Sequence, residues 1–360
     1  MELESPLKEQ YGKDRLSILE AQRAAQVIAF GPISFQASRM MWKLGIFEAL
    51  NNNPKGMDLK AIATATNLSL YAVKVLVEAS LSVGTVILKD GKFFITKTGW
   101  YILTDKMTQV NMDFTHDVNY KGFFDIEACL KNGKPEGLKA LGNWPTVYEG
   151  LSELEPEVQK SWFAFDHFYS DSSFKEALDI LFTRHPKRIL DVGGNTGRFA
   201  LRCTEYNQEV EVTVMDLPQQ IGMLKKNIAG NANASRIHTH PANVLGDTAY
   251  PEGYDAVWMS QFLDCFSEEQ IEHIVSKARQ ALKPDAKLYI METFWDRQKY
   301  EAASYCLTMT SLYFTVIANG NSKMYHSADM IEVLRKAGYK ITNIYDGLSL
   351  GHSILECETA

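Results

Sequence analysis

Residues 188–198 read RILDVGGNTGR: an apolar run leading straight into three glycines, then into a helix expected from about Arg198. Glycine at Gly193, Gly194 and Gly197 lets the backbone turn sharply and lets a ligand come close to the main chain. Asp191 stands at the carboxyl end of the run, where open α/β sheets bind their ligands. Three further β-rich runs follow, EVTVMDLP (211–218), YDAVWMS (254–260) and AKLYIMET (286–293), separated by helical stretches. Strands alternating with helices predict a Rossmann-like, doubly wound parallel sheet, placed here over residues 176–360.

The spacing of acids around this loop points to a cofactor. The second run ends at Asp216, 25 residues after Asp191, and a carboxylate there can accept hydrogen bonds from both ribose hydroxyls of an adenosine cofactor. A nicotinamide dinucleotide would want G-x-G-x-x-G with its pyrophosphate on the helix N-terminus. The loop here is D-x-G-G-x-x-G, and its extra carboxylate would repel a pyrophosphate. An acid at that point suits a cation, such as the amino-acid ammonium of S-adenosylmethionine. A nicotinamide dehydrogenase is therefore the weaker reading.

Upstream, the chain reads as helices. FQASRMMWKLGIFEAL (35–50) has apolar residues at helical spacing and stops at NNNPKG. A short helix, a turn at Asn67, a longer helix from Ser69 and a hairpin about Asp90-Gly91 make a winged helix within residues 1–105. A groove-reading helix needs Arg, Lys, Asn or Gln on its exposed face. The second helix, LYAVKVLVEASL, carries only Lys74, which argues for burial in a dimer interface and against nucleic acid. Residues 106–175 form a helical connector dense in aromatics, including Phe163, and expected to wall a substrate pocket as well. The net charge of −7 weighs further against nucleic-acid binding. Five scattered cysteines with no ligand spacing predict neither a disulfide framework nor a metal site. The charged N-terminus has no apolar signal region and no run is long enough to span a bilayer, so a cytoplasmic protein without membrane contact is expected.

With these blocks in order, the sequence resembles the methyltransferases that include plant caffeate and bacterial polyketide O-methyltransferases. The resemblance covers nearly the whole chain. It implies an N-terminal all-helical winged-helix dimerisation domain, hence a homodimer, then the connector and the cofactor domain. LDVGGNTG (190–197) resembles the family's glycine loop, and MDLP (215–218), with Asp216 and Leu217, its ribose motif. PANVL (241–245) places Asn243 and Val244 where the family touches adenine. The catalytic segment departs from the family. Relatives carry a His as general base, and that position here holds Asp264, in FLDCFSEE (262–269). Lys323 falls where relatives have the Glu that supports the His, and Glu292 matches a family acid near the site. The expectation is a charged Asp264–Lys323 pair in place of His and Glu.

The expected site then has Asp191 and the three glycines on the methionine portion of S-adenosylmethionine, and Asp216 on its ribose. Asn243 and Val244 would hold adenine, and Ser260 and Gln261 would lie near the sulfonium. Asp264, with Glu292 and Lys323, would orient a small aromatic or polyketide-like acceptor, walled by Phe163, His167, Met309 and Tyr313. An Asp with pKa about 4 is a poor base for a phenol at about 10, compared with His at about 6.5. Burial could raise it, although a nearby Lys323 would oppose that. Otherwise the acceptor is unusually acidic, or the chain is a relative that binds the cofactor without methylating. His116, His167, His326 and His352 are alternative bases. A winged-helix regulator with the cofactor domain as sensor is the reading from another class.

Overall fold

The computed structural model describes residues 7–360, which divide into two compact units. One spans residues 13–115; the other holds residues 116–360 together with the segment up to Gly12.

In the first unit, local capping sets the helix ends. Ser17 and Glu20 close a capping box at the helix Ile18–Ala29, and Asp58 and Ser69 cap the helices Leu59–Thr66 and Leu70–Val83. Asn67, at φ +53°, ends the first of that last pair, as its place in the sequence predicts. Strands β1 (Val86–Lys89) and β2 (Lys92–Ile95) pair antiparallel across Asp90 and Gly91, both at positive φ. This wing adds a two-stranded sheet to an otherwise helical unit. The single helix expected over 35–50 is instead two, Gly31–Lys43 and Ile46–Asn51, broken where Gly45 adopts φ +77°. The break lets Met41, Ile46, Phe47 and Leu50 meet Ile62, Val73 and Val77 in one core.

The second unit is built on seven strands: β3 (Arg188–Val192), β4 (Glu211–Asp216), β5 (Ile237–Pro241), β6 (Tyr254–Ser260), β7 (Leu282–Glu292), β8 (Tyr339–Leu348) and β9 (His352–Thr359). Their order is β5-β4-β3-β6-β7-β9-β8. The first five run parallel, β9 runs antiparallel between β7 and β8, and β8 points the same way as the first five, so the sheet is mixed rather than purely parallel. The cause is local. Ser349 at φ +45° and Gly351 at φ +104° turn β8 back within a few residues, and a hairpin can only return antiparallel. Apolar side chains cover both faces. Leu190, Val257 and Ile290 pack on Ile271, Ile274 and Leu334; on the other face Ile189, Val212 and Trp258 pack on Leu178, Phe199 and Leu224. Winding reverses between β3 and β6, and that switch point opens a crevice at the strands' carboxyl ends.

Candidate active site

The loop after β3 lines this crevice. A cleft with about 510 Å³ of empty space, part of it open solvent, is bounded by Asp191, Gly193, Gly194, Asn195, Thr196 and Arg198 on the β3 side and by Trp258, Ser260 and Gln261 on the β6 side. His167 and Asp166 of the connector helix Pro156–Ser170 reach the same cleft. Gly194 is required here because a Cβ would come within 2.4 Å of Asp191 Oδ2. Gly197, at φ +79°, is the N-cap of the helix Arg198–Tyr206. Burial pushes the Asp191 carboxyl up to about 8, with the negative charge of Asp216 adding to the effect.

Asp216 closes the end of β4. Its Oδ2 accepts the Asn195 N–H at 2.8 Å and its Oδ1 the Leu217 N–H at 2.7 Å. Burial raises its pKa to about 6 against those two bonds. Each oxygen keeps a second lone pair for a ligand hydroxyl. Val244 is buried, whereas Asn243 is exposed and its Oδ1 accepts the Leu245 N–H at 3.0 Å.

Whether this cleft fits the expected cofactor is decided by its polar atoms. Asp191 Oδ2, Asn195 Oδ1, Trp258 Nε1, Ser260 Oγ and Gln261 Oε1 are all sealed from solvent without a hydrogen-bond partner. Buried polar groups are costly to leave unpaired, so a cleft carrying several is shaped for a ligand that pairs them. The set contains a carboxylate for an ammonium, donors for a carboxylate and a glycine loop. It matches the amino-acid end of S-adenosylmethionine.

Past Gln261, itself at φ +44°, the chain turns into a short 3₁₀ segment, Leu263–Cys265. Glu292 at the end of β7 holds this turn: its Oε1 accepts the N–H groups of Phe262 at 3.1 Å and Leu263 at 2.9 Å. From below, Asn319 Nδ2 donates to the Cys265 carbonyl at 2.5 Å and the Tyr325 hydroxyl to that of Phe266 at 2.5 Å. Asp264 is buried, and the Cys265 thiol donates to its Oδ1 at 3.5 Å. Burial raises the Asp264 carboxyl to about 6, opposed by hydrogen bonds from Cys265 and the main chain. Glu292 is pushed well above the usual carboxylate range, first by burial and then by the Asp264 charge.

Lys323 does not pair with Asp264. It is exposed, its Nζ 3.4 Å from Asp329 and 4.0 Å from Glu268, and Asp264 has no ion pair among the described residues. The reason lies in the turn at Gly320–Ser322, where Asn319 Oδ1 accepts the N–H groups of Asn321 and Ser322. That turn directs the next residue toward the start of the helix Glu268–Ala278, away from the buried acids. Of the acceptor-wall residues, Tyr313 is buried and its hydroxyl accepts the Trp162 Nε1–H at 2.7 Å. Phe163 packs edge-on to Trp162 and against His167. Met309 is 46% exposed. His326 caps the helix Ser327–Lys336, its Nδ1 accepting the Ala328 N–H, and burial lowers the His352 pKa to about 4.

Two family models match this chain: a Dimerisation2-like domain over residues 22–93 and an O-methyltransferase domain over residues 167–340. The chain belongs to the S-adenosylmethionine-dependent O-methyltransferase family. It is an enzyme whose methyl donor is S-adenosylmethionine. The methyltransferase is 23% identical to the L-tyrosine C(3)-methyltransferase of Streptomyces lavendulae, over 87% of this chain and 85% of the relative. It is 22% identical to the demethylspheroidene O-methyltransferase of Cereibacter sphaeroides, over 93% and 86%. Among solved structures it resembles the apo S-adenosylmethionine-dependent methyltransferase SibL, with TM-score 0.72 and 23% identity over 93% of this chain and 98% of that one. Among its described residues no helix is long and apolar enough to cross a membrane, and no group of three or more His, Cys, Asp or Glu is placed to hold a metal.

Sequence reading passed over one residue of this methyltransferase's cleft. Trp258 stacks on Phe199 and pairs in register with Asp191 across β3 and β6. Strand alternation could have found it, since it shares a face with Ser260. Tyr148, one of the aromatics of the connector, lies beside Cys265 and Asp264.

Proposed function

We propose that this methyltransferase methylates a small aromatic acceptor at oxygen, with Asp264 as the base that takes the hydroxyl proton. The observation that carries the reading is the burial of Asp264 with no cation at hand, which lifts its pKa to about 6. That is close to an ordinary imidazole at about 6.5, so an aspartate here is matched to the task of a family His. Lys323, standing away from the site, does not depress it.

S-adenosylmethionine supplies, when bound, a methyl group made electrophilic by its sulfonium. Asp191 and the glycine loop would hold its amino-acid end, Asp216 with Leu217 its ribose, Asn243 and Val244 its adenine, and Ser260 and Gln261 the region of the sulfonium. Glu292 fixes the turn that aims Asp264. Phe163, His167 and Tyr313 would wall the acceptor; Met309, half exposed, would contribute at the rim. Alignment of the two reactants supplies much of the acceleration in a direct displacement.

The naming of the Streptomyces relative supports one second reading, transfer to carbon. A phenolate is nucleophilic at oxygen and at its ortho carbon, and Asp264 would make it in either case. The test is methyl-labelled S-adenosylmethionine with a panel of catechols, naphthols and tyrosine, using wild type and Asp264→Asn. We expect a labelled product whose NMR spectrum shows an aryl ether, and a loss in kcat/KM of about 10²–10⁴-fold in the variant. Because the ionised form is active, wild-type kcat/KM should rise through about pH 6, and Asp264→Asn should lack that limb. A variant with wild-type kcat/KM would remove Asp264 from the chemistry, and an aryl–carbon product would move the acceptor atom.

A further inference from the structure

Trp258 carries a polar atom that the fold itself does not use. It lies on β6 in register with Asp191 of β3, so the two side chains leave the same face of the sheet, and both line the cleft. The residue is fully buried and its ring stacks on Phe199, centroids 4.7 Å apart at 12°. Phe174 in turn meets Phe199 edge-on at 5.5 Å. The Trp258 Nε1–H is sealed from solvent and has no hydrogen-bond partner. A buried indole N–H normally finds an acceptor. Phenylalanine would stack on Phe199 without the cost of an unpaired donor.

The chemistry of the neighbours says what this donor can take. An indole nitrogen only donates, so its partner must be an acceptor. Asp191 Oδ2, once ionised, and the partnerless Asn195 Oδ1 and Gln261 Oε1 are acceptors themselves. Ser260 Oγ serves in either sense, and Arg198, which also lines the cleft, is exposed. Trp258 is therefore the sealed nitrogen donor beside the carboxyl that takes the ammonium of the methyl donor. The carboxylate of an amino acid sits on the same carbon as its ammonium. Neighbouring strands lie about 4.8 Å apart, so an acid and a donor in register straddle a group of that size.

We propose that Trp258 is a binding residue that selects for the α-carboxylate of the methyl donor, its Nε1–H donating to a carboxylate oxygen while Asp191 takes the ammonium; this rests on the reading of Asp191 as the ammonium's partner. Stacking on Phe199 fixes the plane of the indole, so the N–H points one way and cannot follow a displaced ligand as a long flexible side chain would. A ligand without the carboxylate leaves the N–H unpaired, and a site built to hydrogen-bond a group rejects the analogue that lacks it. The enzyme therefore distinguishes the intact amino-acid end from decarboxylated adenosyl thioethers whose nucleoside is the same.

The test compares two ligands that differ in one group: S-adenosylhomocysteine, and S-adenosyl-3-thiopropylamine, the same thioether without its carboxylate. Calorimetry measures both on full-length wild type, Trp258→Phe and Asp191→Asn, with the thermal midpoint as the control for folding. We expect Trp258→Phe to bind S-adenosylhomocysteine about tenfold weaker or worse and the amine as wild type does, the effect of losing one hydrogen bond to an anion. Asp191→Asn should weaken both ligands, since both keep the ammonium. If Trp258→Phe lowers the thermal midpoint, benzothienylalanine at position 258 keeps the fused rings, replaces the N–H by sulfur, and should show the same split. Equal losses for the two ligands, or a loss for neither, overturn the role of Trp258 and leave it a packing residue. Wild-type affinity for both ligands in Asp191→Asn overturns the reading beneath it, a result separate from the split at Trp258.

Discussion

Asp191 is a carboxyl group held where its own charge is disfavoured. Burial and the neighbouring Asp216 lift its pKa to about 8, so at pH 7 the empty cleft holds it mostly protonated. An ammonium arriving beside it favours the ionised form, so binding must drive the proton off. The direction follows: affinity for S-adenosylhomocysteine should strengthen as pH rises from 6 and level off above about 8. Calorimetry in two buffers of different ionisation enthalpy at pH 7 should report close to one proton released, and Asp191→Asn should abolish the release and weaken binding. Gly194→Ala, whose Cβ would press on the same oxygen at 2.4 Å, should lose at least about tenfold in affinity with the thermal midpoint of the empty enzyme little changed; equal affinity would show that the carboxylate can swing aside. These residues were legible because their signal is short-range: a strand, three glycines and an acid at the next strand's end. Lys323 was misread because its direction depends on a turn made by Asn319, which spacing does not encode. Tyr148 was read only as one of the connector's aromatics, because the neighbours that single it out, Cys265 and Asp264, lie more than a hundred residues away in sequence.

At the scale of elements, the end of β7 determines the loop that carries Asp264. Glu292 accepts two buried N–H groups through Oε1, and each such group left unpaired costs about 1–3 kcal/mol. Glu292→Ala removes both acceptors and should lower unfolding stability by about 2–5 kcal/mol in denaturant titration. Glu292→Gln keeps a carbonyl oxygen in the same place and should cost much less. Equal losses in the two variants would mean that the charge, rather than the pair of bonds, holds the turn. The same scale shows why the parallel strands could be read and others could not. β3, β4, β6 and β7 are buried runs with strong apolar character. β5, Ile237–Pro241, is only partly buried and reads IHTHP, a sequence with no periodicity to separate it from a loop. The β8–β9 hairpin depends on Ser349 and Gly351 at positive φ, and Ser349 carries no turn signature of its own. The split of the 35–50 helix at Gly45 is a case where apolar spacing continued smoothly through a backbone break.

For the whole molecule, the first unit presents more apolar surface than a monomer would keep. The helix Ile18–Ala29 has no buried residue, and at 12 residues it is too short to be stable on its own in water. Ile18 is 88% exposed and Ile28 79%, with Leu19, Phe30 and Ile33 also exposed along the same stretch. Contiguous apolar surface of this kind marks an interaction site, and the match of residues 22–93 to a Dimerisation2-like domain supports a second copy as the expected partner. The helix Leu70–Val83 agrees: Tyr71 and Val75 are exposed one turn apart, while its one lysine, Lys74, faces Glu78 at 3.9 Å rather than offering itself to a phosphate. We therefore expect sedimentation at micromolar concentration to give a dimer, insensitive to salt because the contact is apolar. Ile28→Lys combined with Ile33→Lys would bury two ammonium groups unpaired, a cost of several kcal/mol per interface, and should yield monomer. Because neither side chain is buried within the chain, the monomer should keep its helical circular dichroism. A double variant that still sediments as a dimer would place the interface elsewhere on the unit, and a wild type that is monomeric at every concentration would leave this apolar helix without the partner its stability requires.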